Sequence, residues 1–334
     1  MPSAFFSHPD CLRHQTDAGH PECPERLHAI DDQVIAARLD AWWLPQSAPL
    51  ADRASLLRAH DADYLDRIAA CVASLSATPQ GPSSAAAGDG ARKTSPRSAM
   101  DGTFAYLDGD TVVSPGSWQA ALRAAGAAVA ATDAVLDGRF DNAFCSVRPP
   151  GHHATRNQAM GFCLINNVAV AVLHALAERG LQRVAIIDFD VHHGNGTESI
   201  FAGDDRVLMC STFRHPFYPH CGVPGPASNI VNAPLSAGAD GAAFRDAVQT
   251  HWLPRLQAFA PEMVFVSAGF DAHREDEMGG LALVEADYAW VTEKVRDIAM
   301  QYAAGRIVSV LEGGYAFSAL GRSVVAHLRA MANL

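Results

Sequence analysis

Short runs of consecutive apolar residues, rich in β-branched side chains, recur along the chain at Phe144 to Val147 (FCSV), Val184 to Asp188 (VAIID), Val207 to Ser211 (VLMCS), Met263 to Ser267 (MVFVS) and Ile307 to Leu311 (IVSVL). None alternates with polar residues, so each reads as a strand buried on both faces. Between them the apolar positions take a helical period, over Asn167 to Arg179, Ala242 to Phe259, Glu285 to Ala303 and Ala319 to Met331. Alternating strands and helices predict an α/β fold, an open, mainly parallel sheet flanked by helices on both faces. The pattern breaks once, over the Ser-, Ala-, Gly- and Pro-rich stretch Ala73 to Gly102. That stretch reads as a long surface excursion of a single domain, residues 1–334, because the first 72 residues supply few strands for a core of their own.

Polar clusters sit just past these strands. RPPGHHA (Arg148 to Ala154) follows the first, DFDVHHGNG (Asp188 to Gly196) the second, AGFDAH (Ala268 to His273) the fourth and EGGY (Glu312 to Tyr315) the fifth. In an open parallel sheet the loops at the carboxyl ends of the strands share one rim, where ligands bind. Asp190 and His192, two apart on an extended segment, point to the same side, and Asp271 is the best third ligand for a metal site with an open position. An isolated D-x-H is more often a capped turn beside solvated histidines. The glycine-rich continuation and the second acidic strand end favour the metal. Next to a metal, His152 and His153 become acid–base candidates, with Asp188 and Asn195 as acceptors for their far ring nitrogens. A GGY by itself fits an ordinary turn equally well; at such a rim, the diglycine would let Tyr315 lean over the site as an oxyanion donor.

Composition narrows the class. Of 334 residues, 49% are apolar and 18% charged, a profile that excludes disordered and fibrous chains. The first residues lack a basic segment followed by a long apolar one, which leads to the expectation of a cytoplasmic protein. Seven cysteines without C-x-x-C pairs imply reduced thiols. A net charge of −11 without basic blocks argues against nucleic acid and anionic membranes as partners and mildly favours cationic ligands.

R-P-P-G-H-H-A, D-x-D-V-H-H-G-N-G-T, S-A-G-F-D and L-E-G-G-Y, in this order, resemble the zinc-dependent histone deacetylase superfamily, whose bacterial members include acetylpolyamine amidohydrolases. The likeness runs from HPECPERL (His20 to Leu27) to Tyr315, and Asn195 is similar to the class II branch. It implies an arginase/deacetylase-like fold and a deacetylase that releases acetate from acetylated amines, small or peptidyl, of acetyl-lysine or acetylpolyamine type. It further implies zinc on Asp190, His192 and Asp271, with Fe(II) or Co(II) as substitutes, His153 as general base and acid, and His152 paired with Asp188. Tyr315 would donate to the carbonyl oxygen. Phe162 and Tyr218 would wall an acyl tunnel, with Gly161 and Gly313 beside the substrate and Arg26 at a foot pocket. A structural potassium ion is implied at Asp188, Ser211 and Thr212, and a second near Phe201 and Val207.

Two alternatives remain at this stage. A binuclear manganese ureohydrolase of arginase type needs bridging carboxylates where Gly194 and His273 stand. A non-catalytic binder of acylated amines would not need both histidines, three ligands and Tyr315. Substrate choice is open: Met278 stands where polyamine-selective relatives carry glutamate, Glu275, Asp276 and Glu277 are expected to lend the entrance negative charge, and Asp110 is a candidate contact to the substrate. A homo-oligomer is compatible with all of this.

Overall fold

A computed structural model describes residues 2–76, 103–223 and 227–334. Among the described residues ten strands are formed: β1 (Ser3–Ser7), β2 (Trp43–Ser47), β3 (Ala105–Tyr106), β4 (Val112–Val113), β5 (Asn142–Cys145), β6 (Val184–Asp188), β7 (Val207–Arg214), β8 (Ile230–Leu235), β9 (Met263–Ala268) and β10 (Ile307–Leu311). Eight of them make one sheet in the order β2-β1-β5-β10-β9-β6-β7-β8, and β3 and β4 make a separate small hairpin. Neighbours in the large sheet all run parallel. Every residue of β5, β6, β9 and β10 is buried, which requires cover on both faces and explains their unbroken apolar character. Helices Glu25–Ala36, Ser117–Leu136, Asn167–Ala177, Glu285–Tyr302 and Phe317–Ala332 supply that cover.

The two edge strands, β2 and β8, escape an apolar-run search because each contains a proline, Pro45 and Pro234. A proline cannot donate to a ladder and is tolerated at an edge. The expected helix Ala242 to Phe259 is interrupted: Gly241–Ala247 leads into a π turn at Val248–Trp252 and then into Leu253–Phe259, with Pro254 in the first turn of the last piece. The missing N–H of Pro254 removes a helical bond at that point. The Ser/Ala/Gly/Pro-rich stretch starts later than expected, since Ala73 to Ser76 complete the helix Ala62–Ser76; its remainder, 77–102, lies outside the described residues. Among the described residues no helix is long and apolar enough to cross a membrane.

The loops carrying the polar clusters follow β5, β6, β9 and β10, and these four are consecutive neighbours at the centre of the sheet. Their carboxyl ends therefore place all four clusters side by side.

Candidate active site

The segment after β6 holds Asp190 and His192, and the segment after β9 holds Asp271; all three are buried, and one ligand atom from each lies within 4.8 Å of the others. His192 Nδ1 is 3.1 Å from both Asp190 Oδ1 and Asp271 Oδ2. Main-chain amides hold the carboxylates in place: His192 N on Asp190 Oδ1 at 2.8 Å, Gly313 N on Asp190 Oδ2 at 2.9 Å and Val191 N on Asp271 Oδ1 at 2.8 Å. Burial, followed by the charge of Asp190, pushes Asp271 up to about 6. Burial alone would depress His192, but hydrogen bonds with Asp190 and Asp271 raise it to about 10. Such a donor set favours a positive charge between its oxygens, and one imidazole with two carboxylates suits a divalent ion. Space is kept for it: a Cβ on Gly313 would come 2.2 Å from Asp271 Oδ2 and 2.6 Å from Asp190 Oδ2.

The loop after β5 brings the paired histidines against this cluster. His152 Nδ1 is 3.0 Å from Asp188 Oδ2, and His153 Nδ1 is 2.7 Å from Asn195 Oδ1. The two rings lie 4.0 Å apart, yet they are driven in opposite directions. Burial opposes charge on both. At His152 the carboxylates of Asp190 and Asp188 overcome burial and hold the imidazole well above its usual range. At His153 burial is reinforced by the neighbouring His152 and His192, which keep it neutral, well below its usual range. Neutral His153 donates Nδ1–H to the Asn195 oxygen and so turns a free Nε2 lone pair outward.

Tyr315 follows β10 on the loop Glu312 to Ala316. Burial pushes its phenol far above the usual value, so it is a proton-bearing donor at neutral pH. Arg26 is fully buried against the Tyr315 loop. Its Nε donates to Gly314 O at 2.6 Å, its Nη2 to Glu312 O at 2.5 Å, and its guanidinium lies 5.0 Å from the centre of the Tyr315 ring. Phe162 meets Tyr315 edge-on, with ring centres 5.9 Å apart, and Tyr218 meets His153 edge-on at 5.3 Å. Gly161, at φ 54°, is pressed against the His153 ring, where a Cβ would come 2.4 Å from Cδ2. The β3–β4 hairpin closes over this side: Thr111 Oγ1 accepts from Phe162 N at 3.1 Å, and the Asp110 carbonyl accepts from His20 Nε2 at 3.2 Å. Burial, then the charge of Asp108, raises the Asp110 carboxyl to about 6.

The acidic run after Asp271 departs from expectation. Asp276 is buried with its oxygens turned onto main-chain amides, and Glu275 is paired with Arg322 at 2.7 Å. Of these three residues, then, Asp276 faces inward and Glu275 is partly neutralised. Met278 is half-buried, and its amide rests on Asp276 Oδ1 at 3.0 Å.

The residues implied for two potassium ions differ from each other. Ser211 pairs in register with Asp188, and its buried hydroxyl has no hydrogen-bond partner among the described residues. Thr212 follows it, also buried. The Phe201 and Val207 carbonyls instead accept from Asn229 Nδ2, at 2.8 and 3.0 Å, with the Asp204 carbonyl at 3.2 Å. The Asn229 side-chain amide thus gathers these three carbonyls around one point.

The family model described as the histone deacetylase domain matches residues 20–331. This chain belongs to the histone deacetylase family. It is similar to a histone deacetylase-like amidohydrolase of Pseudomonas aeruginosa, 38% identical over 89% of this chain and 73% of that one. A probable deacetylase of Archaeoglobus fulgidus is 33% identical over 94% of this chain and 82% of that one. Among solved structures, the crystal structure of the HDA15 HD domain superposes with a TM-score of 0.86 at 32% identity, covering 99% of this chain and 88% of that one. The chain is accordingly a hydrolase acting on amide bonds, of a family that generally uses a metal ion.

Membership removes the ureohydrolase alternative, and the geometry gives the reason. Among the described residues a single ligand cluster is assembled. Gly194 packs its backbone against Asp188, and His273 is turned toward Glu285, 3.6 Å away, so neither position brings a bridging carboxylate. Sequence reasoning missed the buried supports. Glu22, fully buried, binds Arg148 through both oxygens and Arg26 at 3.1 Å, and Glu312 Oε2 accepts from Gly151 N at 2.7 Å and His152 N at 3.1 Å. The i, i+4 spacing of Glu22 and Arg26 was a usable signal for the first; Glu312, which takes the Gly151 and His152 amides and the Ser267 hydroxyl, has partners too far along the chain to leave one.

Proposed function

We propose that the chain is a zinc-dependent deacetylase that hydrolyses acetylated amines of acetyl-lysine or acetylpolyamine type and releases acetate. The observation that carries this reading is the convergence of Asp190, His192 and Asp271 beside a neutral His153. Two oxygens and a nitrogen suit zinc and also admit Fe(II) or Co(II). The chemistry a bound zinc supplies is Lewis acidity toward water and toward the amide carbonyl.

The proton transfers belong to the chain itself. His153 Nε2 accepts a proton from the attacking water, and the imidazolium so formed returns it to the leaving amine. Asn195 fixes the tautomer through Nδ1. His152, charged beside Asp188 and Asp190, balances the carboxylates and disfavours a resting charge on His153. The Tyr315 hydroxyl donates to the carbonyl oxygen as negative charge develops there. Phe162 and Tyr218 flank an alkyl chain that ends in the acetamide. A potassium ion at Asp188, Ser211 and Thr212 is supported by the unpartnered Ser211 hydroxyl.

The test combines metal analysis with acetate release from an acetyl-lysine peptide and N-acetylputrescine. The intact protein is expected to hold a single zinc and to lose activity on chelation, and Asp271→Ala is expected to lose both metal and turnover. Full activity in Asp271→Ala, or two tightly held ions per chain, refutes the mononuclear reading. Absence of acetate release from metal-loaded protein on either substrate class refutes the deacetylase reading.

A further inference from the structure

We infer that Asp276 is a positioning residue for the reaction, clamping the loop that carries Tyr315 to the loop that carries Asp271. The inference rests on the reading of Tyr315 as the oxyanion donor. Asp276 is 4% exposed, although it stands between two exposed glutamates. Its Oδ2 accepts from the main-chain amides of Tyr315 at 2.6 Å and Ala316 at 3.1 Å, and its Oδ1 from the amide of Met278 at 3.0 Å. One carboxylate thus joins two strand-end loops and the half-buried Met278.

The opposite polarity of the Tyr315 loop is held from the other side. Arg26 takes the carbonyls of Glu312 and Gly314, while Asp276 takes the amides of Tyr315 and Ala316. The loop needs such support because Gly313 and Gly314 give it little stiffness, Gly314 sitting at φ 125°. An oxyanion donor works only when it is held within about 0.5 Å of its productive place. Without Asp276 two part-buried amides lose their acceptor, the loop gains conformations, and Tyr315 is poised for a smaller fraction of the time. Since that donor acts in the transition state, the loss falls on kcat, while the metal ligands and aromatic walls continue to bind substrate.

The experiment uses metal-loaded full chain with Asp276→Asn and Asp276→Ala, alone and combined with Tyr315→Phe. Each single variant is expected to lose roughly 10-fold or more in kcat, with KM and hydroxamate affinity changed less than about threefold and metal content retained. In the Tyr315→Phe background the same changes are expected to cost less than about twofold, because the group they position is gone. Hydrogen exchange supplies a readout free of activity: the amides of Tyr315 and Ala316 should lose protection in Asp276→Asn, while the Gly313 amide, bound to Asp190, keeps it. Undiminished kcat, full additivity with Tyr315→Phe, parallel loss of metal and hydroxamate binding, or unchanged protection of both amides overturns the clamp. If the unmodified protein releases no acetate, the deacetylase reading fails instead, and the exchange result alone decides whether Asp276 holds the loop.

Discussion

Two neighbouring imidazoles, His152 and His153, are driven to opposite charge states by their surroundings: the carboxylates of Asp190 and Asp188 overcome burial at His152, whereas at His153 burial is reinforced by His152 and His192. On the proposed mechanism this division makes His153 the base, and burial keeps the Tyr315 phenol protonated. Tyr315→Phe preserves the ring that packs on Phe162 and Arg26 and removes one oxyanion donor. Turnover should fall on the order of 10²-fold while a hydroxamate still binds through the metal; a change in kcat below about threefold would remove Tyr315 from the oxyanion role. His153→Ala should be nearly inactive with metal retained, and normal turnover there would reassign the base. The ligand and histidine positions were legible in sequence because D-x-H and G-H-H place reactive side chains directly after apolar runs. Asp276, Glu312 and Glu22 were not. The first two spend their oxygens mainly on main-chain amides, which any residue supplies, and Glu22 works through Arg148, 126 positions away.

Legibility followed the length of the apolar run more than burial: β1, buried between β2 and β5, has only Ala4, Phe5 and Phe6 between two serines and was not read as a strand. The four central strands announce themselves as unbroken apolar runs, whereas edge strands β2 and β8 carry prolines and one face of weaker pattern. The helix Phe317–Ala332 was read correctly to within two residues at its start, yet the pattern gave no sign that its His327 is a core residue. His327 is wedged between Thr292 Oγ1 at 2.6 Å and Ser309 Oγ at 2.9 Å, tying that helix to Glu285–Tyr302 and to β10. Burial lowers its pKa to about 3, and burial lowers His60 to about 4. Between those values and the ordinary 6.5 the unfolded chain binds more protons than the folded one, so stability is full above about 6.5 and is lost as pH falls. The urea midpoint should therefore rise from pH 4 to pH 6.5, and His327→Gln should make that rise shallower. An unchanged slope in His327→Gln would show that His327 is not the titrating group.

Across the whole molecule the charge of −11 predicts attraction for cationic substrates, but folding decides which carboxylates take part. Asp276 is consumed inside the protein and Glu275 is engaged by Arg322, so the acidic group proposed to draw a cation toward the site is the hairpin pair Asp108 and Asp110. The Asp110 carboxyl is raised to about 6 because it is shielded from water and sits beside Asp108, and it interacts electrostatically with His192. It follows that kcat/KM for N-acetylputrescine and N-acetylcadaverine should exceed that for a neutral acetyl-lysine amide at low salt, and that the advantage should shrink as salt rises. The advantage should also fall as pH drops through about 6, where Asp110 takes up its proton. Because Met278 stands in place of a second fixed charge, the preference should be modest and acetyl-lysine amides should still turn over. Asp110→Asn should remove most of the preference and its pH dependence, whereas Glu275→Gln should leave both intact. A neutral substrate that outperforms the cationic ones at low and high salt alike would refute the electrostatic argument, and strict polyamine specificity would show that Met278 does not mark the selective position.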